Sequence, residues 1–170
     1  MSSSATESIA SSGLAGAAPV ERLWVASGAG RAPTAAAGPL LIVVAVPPDV
    51  TADVVERELR AYPDAVVTDV ASVKLDPLHE LRRRGVDLTH YIGSHPMAGR
   101  ERGGAISARA DIFVGRPWVV CRDEETPASD LALVGGLALD LGATPLGMTP
   151  EEHDLAPIHI VRCRRSTLCR

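Results

Sequence analysis

Leu41-Ile42-Val43-Val44-Ala45-Val46-Pro47-Pro48 is the stretch that decides the fold. Its apolar residues run without a polar interruption, they are rich in β-branched side chains, and a double proline closes them. A strand with one wet face alternates polar and apolar residues, so an unbroken run of this kind predicts a strand covered on both faces. Proline has no N–H to extend a ladder, which ends the strand. Strands covered on both faces belong to parallel sheets flanked by helices, so this run alone points to an α/β architecture.

The residues downstream repeat the pattern. Thr51 to Tyr62 carries Val54, Val55 and Leu59 at helical spacing, and Ala65–Val70 reads as a second buried strand. Asp76-Pro77 predicts an N-cap with proline at the first helical position, and Arg82-Arg83-Arg84-Gly85 a cationic last turn with a glycine stop. Leu88–Gly93 is a third strand, Ala105–Ile112 a short helix and Pro117–Cys121 a fourth strand. A helix from about Ser129 to Leu141 stops at Gly142, and Ala143–Met148 is a fifth strand. Thr149-Pro150-Glu151-Glu152 is a capping box opening a last helix, which Pro157 keeps short. Alternation at this spacing predicts a parallel sheet with right-handed crossovers, a partial Rossmann-like α/β fold.

Upstream, residues 1–40 are dominated by Ala, Gly, Ser and Pro and read as low-complexity or poorly ordered, with only Val20–Val25 hinting at an element. The expected organisation is therefore 1–40 as a low-complexity segment, 41–154 as the folded unit and 155–170 as an Arg/Cys-rich tail. The whole chain has 170 residues, 46% of them hydrophobic but only 3% aromatic, so its core is built from Val, Leu, Ile and Ala. A net charge of −4 offers no general attraction to nucleic acid or an anionic membrane. Three cysteines give no disulfide framework and fit a reducing compartment. No apolar run approaches the roughly 20 residues that span a bilayer, and residues 1–20 lack the pattern of a signal peptide. The expected location is the cytoplasm.

In such sheets ligands gather beyond the carboxyl ends of the strands. That rule selects Pro47-Pro48, Asp69 to Lys74, and Ser94 to Glu101. His95, in the run Gly93-Ser94-His95-Pro96-Met97-Ala98-Gly99, is expected in a loop after the third strand, where a neutral imidazole can take a hydroxyl proton as general base. Ser72 and Lys74 allow two readings. Asp69 and Ser72 cap backbone N–H groups in a polar strand-to-helix turn, or Ser72 donates to a substrate or cofactor with Lys74 as a nearby positive charge. Glu101 and Arg102 form either a surface pair worth little or a device that orients an acidic substrate. Arg116-Pro117-Trp118 reads as structural, its indole packed on the sheet, with anion binding by Arg116 as the alternative. His153, His159, Cys163 and Cys169 match no compact zinc spacing, so no metal is expected. Arg162-Cys163-Arg164-Arg165 lacks interleaved aromatics and reads as a solvated tail, not a nucleic-acid contact.

Four segments, Val44-Ala45-Val46-Pro47-Pro48, Asp69-Val70-Ala71-Ser72-Val73-Lys74, Ser94-His95-Pro96-Met97-Ala98-Gly99-Arg100-Glu101 and Phe113-Val114-Gly115-Arg116-Pro117-Trp118, together resemble prephenate dehydrogenase of bacterial tyrosine biosynthesis, over about residues 41–154. The resemblance implies NAD(P)-dependent oxidative decarboxylation of prephenate to 4-hydroxyphenylpyruvate. It casts His95 as the acceptor of the ring hydroxyl proton and Ser72 as a donor to that hydroxyl or to the nicotinamide. Glu101, Lys74 and Ser94 are then expected on the substrate side, and Val46, Pro47, Pro48, Asp69 and Ser72 on the cofactor side, NAD or NADP. No metal is implied, because the nicotinamide carries the electrons.

The chain departs from the family pattern at both ends. The only glycine-rich candidates for a pyrophosphate loop are Gly13-Leu14-Ala15-Gly16 and Gly28-Ala29-Gly30-Arg31, and neither has the full G-x-G-x-x-G spacing. After Asp154 the helical pattern expected of the family's dimerisation domain, which supplies an arginine for the substrate's side-chain carboxylate, gives way to Ala156-Pro157-Ile158-His159. The expectation is thus an incomplete chain, weakly active or inactive alone, without the domain through which the family forms homodimers. Arogenate as substrate and a non-catalytic α/β binding module are the rival readings.

Overall fold

The computed structural model describes residues 23–26, 40–98, 111–122 and 126–155. In chain order these form β1 (Leu23–Ala26), β2 (Leu41–Val44), α1 (Pro48–Ala61), β3 (Val66–Asp69), α2 (Leu75–Arg83), β4 (Tyr91–Pro96), β5 (Pro117–Cys121), α3 (Ala128–Asp140), β6 (Thr144–Met148) and α4 (Pro150–Leu155). The six strands make one sheet in sequence order. Strands β1 to β4 are parallel, β5 runs antiparallel to β4, and β6 is parallel to β5. This is the α/β Rossmann-like architecture expected, and β1 overlaps the short element hinted at Val20–Val25, of which residues 20–22 lie outside the described residues.

Alternation along the strands explains the two layers. Ile42, Val44, Val67 and Tyr91 face a core made with Val54, Val55 and Leu59 of α1 and Leu78 and Leu81 of α2. Leu41, Val43, Val66, Ile92, Trp118 and Val120 face a second core with Val134, Leu137 and Ala138 of α3. All four residues of β2 are buried, so its unbroken apolar run has the predicted cause. Strand β6 lies at the sheet's edge with Leu146 exposed, and it tolerates Pro145 there.

Three expectations are corrected. The sheet is not wholly parallel, because β5 is antiparallel; an apolar run buried on both faces carries no signal of its direction. Asp76-Pro77 does not begin α2, which starts at Leu75 with Lys74 as an N-cap that makes no side-chain cap hydrogen bond. And His95 lies on a strand, not in a loop. Beyond its last pairing with β3, Asp69 opposite Gly93, strand β4 continues along β5 with Ser94, His95 and Pro96 opposite Val120, Val119 and Trp118. Gly93 and Pro96 look like strand breakers in the sequence. Pro96 is the terminal residue of β4, where its missing N–H disturbs the ladder least.

Other expectations match the local geometry. The capping box closes reciprocally, Thr149 N–H donating to Glu152 Oε2 at 2.8 Å and Glu152 N–H to Thr149 Oγ1 at 3.1 Å. Gly142 ends α3 with φ 75°, a left-handed conformation that glycine alone adopts without strain. The short helix Ala105–Ile112 falls largely outside the described residues, as do the candidate glycine loops, Glu101, Arg102, Pro157, His159, Cys163 and Cys169.

Candidate active site

The parallel registers put the carboxyl ends of β2, β3 and β4 level: Val44 lies opposite Asp69, and Asp69 opposite Gly93. The segments that follow, Ala45 to Pro48, Val70 to Lys74 and Ser94 to Ala98, therefore share one edge of the sheet. Ala45, Pro47 and Pro48 are exposed there and Val46 is half-buried. Pro47 is the N-cap of α1, and its carbonyl accepts from Thr51 Oγ1 at 3.0 Å. Ser72 is exposed on the turn between β3 and α2.

Beneath this edge lies a dense polar network. Lys74 is 2% exposed. Its ammonium donates to Asp69 Oδ1 and, at 2.6 Å, to the Ser94 carbonyl. The other oxygen of Asp69 accepts from the Tyr91 hydroxyl at 2.8 Å, and Asp69 Oδ1 also accepts from Ala71 N–H at 2.9 Å. Burial, reinforced by the Asp69 charge, pushes the Tyr91 phenol well above its ordinary pKa, so it stays a donor. Thr68 Oγ1 donates to Ser94 Oγ at 3.0 Å, which donates to the Asp69 carbonyl at 2.8 Å. Gly93 makes this packing possible. A Cβ there would meet Lys74 Cδ at 3.2 Å and Asp69 Oδ2 at 3.4 Å.

The structure thus brings Asp69, Lys74 and Ser94 together as neighbours inside the fold. The ammonium of Lys74, expected as a positive charge near the substrate, is compensated by Asp69, and the Ser94 side chain is fully buried. Of the expected site residues, Ser72, Val46, Pro47 and Pro48 lie on the outer side of the edge. His95, on β4 one residue beyond Ser94, is 4% exposed.

His95 has a neighbour, His153, to which sequence spacing gives no function. Its Nδ1 is 3.0 Å from Nε2 of His153 on α4, the rings meeting edge to face at 5.2 Å. His153 Nδ1 is 2.7 Å from Asp154 Oδ1. The Asp154 carboxylate accepts N–H bonds from Leu75 at 2.9 Å and Lys74 at 3.1 Å, so it supplies the cap that α2 lacks in its own sequence. Burial alone would raise the Asp154 carboxyl; the N–H of Leu75, His153 and the N–H of Lys74 outweigh it and hold the group below the usual carboxylate range. A contact across 58 residues leaves no mark in local spacing. The only sequence clue was that the family resemblance runs through His153-Asp154.

Trp118 packs in the second core, 2% exposed and 5.2 Å from the Phe113 ring, as the structural reading expects. Among the described residues no group of three or more His, Cys, Asp or Glu side chains is arranged to hold a metal ion, and no helix is long and apolar enough to cross a membrane.

Comparison with known proteins gives the same direction. The family model "Prephenate dehydrogenase, nucleotide-binding domain" matches residues 30–145. A probable prephenate dehydrogenase of Streptomyces niveus, NovF, is 37% identical over 135 residues, which is 79% of this chain but 37% of that protein. Among solved structures, prephenate dehydrogenase from A. aeolicus in complex with hydroxyphenyl propionate and NAD+ superposes with a TM-score of 0.61 at 26% identity, over 68% of this chain and 40% of that one. Arogenate dehydrogenase from Synechocystis gives 0.60 at 27% identity, over 77% and 51%. The chain therefore spans well under two thirds of the length of each.

Proposed function

Since the chain belongs to the prephenate dehydrogenase family through its nucleotide-binding domain, we propose that it carries the proton-accepting half of an NAD(P)-dependent oxidative decarboxylation of prephenate to 4-hydroxyphenylpyruvate. The observation that carries this reading is the placement of His95 on the β4 extension, level with the exposed turns at Pro47 and Ser72.

The described residues fit the nicotinamide end of such a cofactor. Val46 and Pro47 offer an apolar rim at the carboxyl end of β2, and Ser72 is exposed on the turn that follows the neighbouring strand β3. When bound, the nicotinamide supplies the acceptor for the two electrons leaving the ring carbon that bears the hydroxyl. His95 takes the hydroxyl proton as the carbon–oxygen bond gains double-bond character, and loss of carbon dioxide then aromatises the ring. Ser72 donates to that hydroxyl or to the nicotinamide carboxamide. The Asp69–Lys74–Ser94 network holds the edge rigid, fixing the backbone from which Ser72 and His95 project. Glu101, outside the described residues, is assigned to the rim of the substrate pocket. The folded unit is taken as residues 41–154, extended at its front by β1.

Titrating the isotopically labelled chain tests this. NAD+ should shift the backbone signals of Val46 and Ser72, and prephenate added with NAD+ should shift those of His95 and Met97. Arogenate in place of prephenate separates the two substrates, and the Synechocystis neighbour is the reason to include it. If neither NAD+ nor NADP+ perturbs that edge, the chain is a binding module without the cofactor, and the proposal fails.

A further inference from the structure

We propose that His153 and Asp154 are positioning residues that fix the tautomer of His95, making its Nε2 the basic nitrogen. The protonation pattern follows from three hydrogen bonds in series. Asp154 is ionised and can only accept. It accepts from the backbone N–H groups of Lys74 and Leu75, and its Oδ1 lies 2.7 Å from His153 Nδ1, so that nitrogen carries the proton. With His153 in its neutral form, the ring has one N–H, the one directed at Asp154. His153 Nε2 therefore presents a lone pair, and His95 Nδ1, 3.0 Å away, must be the donor. The remaining nitrogen of His95, Nε2, is left unprotonated.

This arrangement does for His95 what a general base requires. The lone pair is held on one defined nitrogen before substrate arrives. When Nε2 gains a proton, the Nδ1–H of the imidazolium still donates to His153, and the new positive charge is stabilised along the chain toward the Asp154 carboxylate. The ring orientation is also fixed, because His95 sits in the β4–β5 ladder while His153 is 0% exposed on α4. The relay ends at the backbone N–H groups that open α2, so the base is tied to the turn that carries Ser72. The catalytic meaning rests on the proposed function above; the tautomer itself does not.

The test is a long-range proton–nitrogen correlation spectrum of the full chain with labelled histidine, near neutral pH and without cofactor. The expected result is His95 and His153 both protonated at Nδ1 and unprotonated at Nε2. In Asp154→Asn, the carboxamide keeps an oxygen for the α2 N–H groups and turns its NH2 toward His153, so both rings should invert to the Nε2–H form. His153→Phe, which removes the acceptor of His95 Nδ1 and leaves the Asp154 carboxylate in place on the α2 N–H groups, should shift the tautomer balance of His95 away from Nδ1–H. A wild-type His95 protonated at Nε2 overturns the proposal, as does a His95 tautomer unchanged in both variants. If Asp154→Asn fails to fold, the wild-type and His153→Phe spectra decide alone. In a turnover assay with prephenate and NAD+, Asp154→Asn should lose kcat by on the order of 10²-fold or more, the consequence of a wrong tautomer, while the KM for NAD+ stays unchanged. Absence of turnover in the wild type with the expected spectra would refute the enzymatic reading and leave the tautomer relay standing.

Discussion

Replacing Lys74 by methionine tests the network under the site most sharply. The two side chains of the Lys74–Asp69 pair are 1% and 0% exposed, so Lys74→Met leaves a carboxylate in the interior without its cation. Breaking a buried pair from one side costs about 3–5 kcal/mol, because the orphaned charge is poorly solvated. Asp69 would keep the Tyr91 hydroxyl and the Ala71 N–H, which places the charge penalty at the low end of that range. The Ser94 carbonyl would lose a donor at 2.6 Å, adding about 1 kcal/mol. The expected loss is thus about 3–4 kcal/mol, a large part of the 5–15 kcal/mol typical of a domain (roughly). Urea unfolding followed by far-UV circular dichroism reads it. With a slope of about 2 kcal/mol per molar, the midpoint should fall by about 1.5–2 M. Adding Asp69→Asn should recover part of the loss, since the unpaired charge disappears. A loss under about 1 kcal/mol, or the same loss with and without Asp69→Asn, would refute the reasoning.

Three further outcomes follow from the packing and the charges. Trp118→Ala should cost about 3–5 kcal/mol in the same assay. Trp118→Phe should be much milder, because the indole Nε1 has no hydrogen-bond partner among the described residues and its removal relieves a buried orphan. Gly142→Ala should cost about 1–2 kcal/mol, the penalty of a left-handed alanine, aggravated by a Cβ only 3.1 Å from Val114 Cγ2; an unchanged melting temperature would contradict it. The native carboxyl of Asp154 is held below its ordinary value, so its contribution is complete above an unfolded pKa of about 4 and disappears as pH falls through the native one. The stability gap between wild type and Asp154→Asn should therefore shrink on acidification below about pH 4, and a gap independent of pH would contradict the assignment.

The elements legible in the sequence are those whose cause is local. The β2 run announces burial on both faces, Thr149 and Glu152 announce their own capping box, and Gly142 announces the end of α3. What escaped depends on partners distant in sequence. Strand β5 pairs antiparallel with β4, and no residue of Pro117–Cys121 encodes that direction. Asp76-Pro77 carries the local pattern of an N-cap for α2, whereas Asp154 provides the cap from 79 residues away. His95 was legible as chemistry but not as a strand residue, since Gly93 and Pro96 imitate a turn. Lys74 illustrates the same limit: a lysine on a strand-to-helix turn reads as an exposed cation until Asp69 and Ser94 are seen to enclose it.

The central claim is that His95 accepts the proton of this reaction. Its most direct test is reduced-nicotinamide formation from prephenate and NAD+, followed by absorbance with the chain in excess over substrate, for the wild type and His95→Asn. NAD+ affinity is measured on both proteins by calorimetry. The expected result is a prephenate-dependent signal from the wild type that falls by on the order of 10²-fold or more in the variant, with NAD+ binding retained. Equal rates in the two proteins, or no prephenate-dependent signal from the wild type, would contradict it.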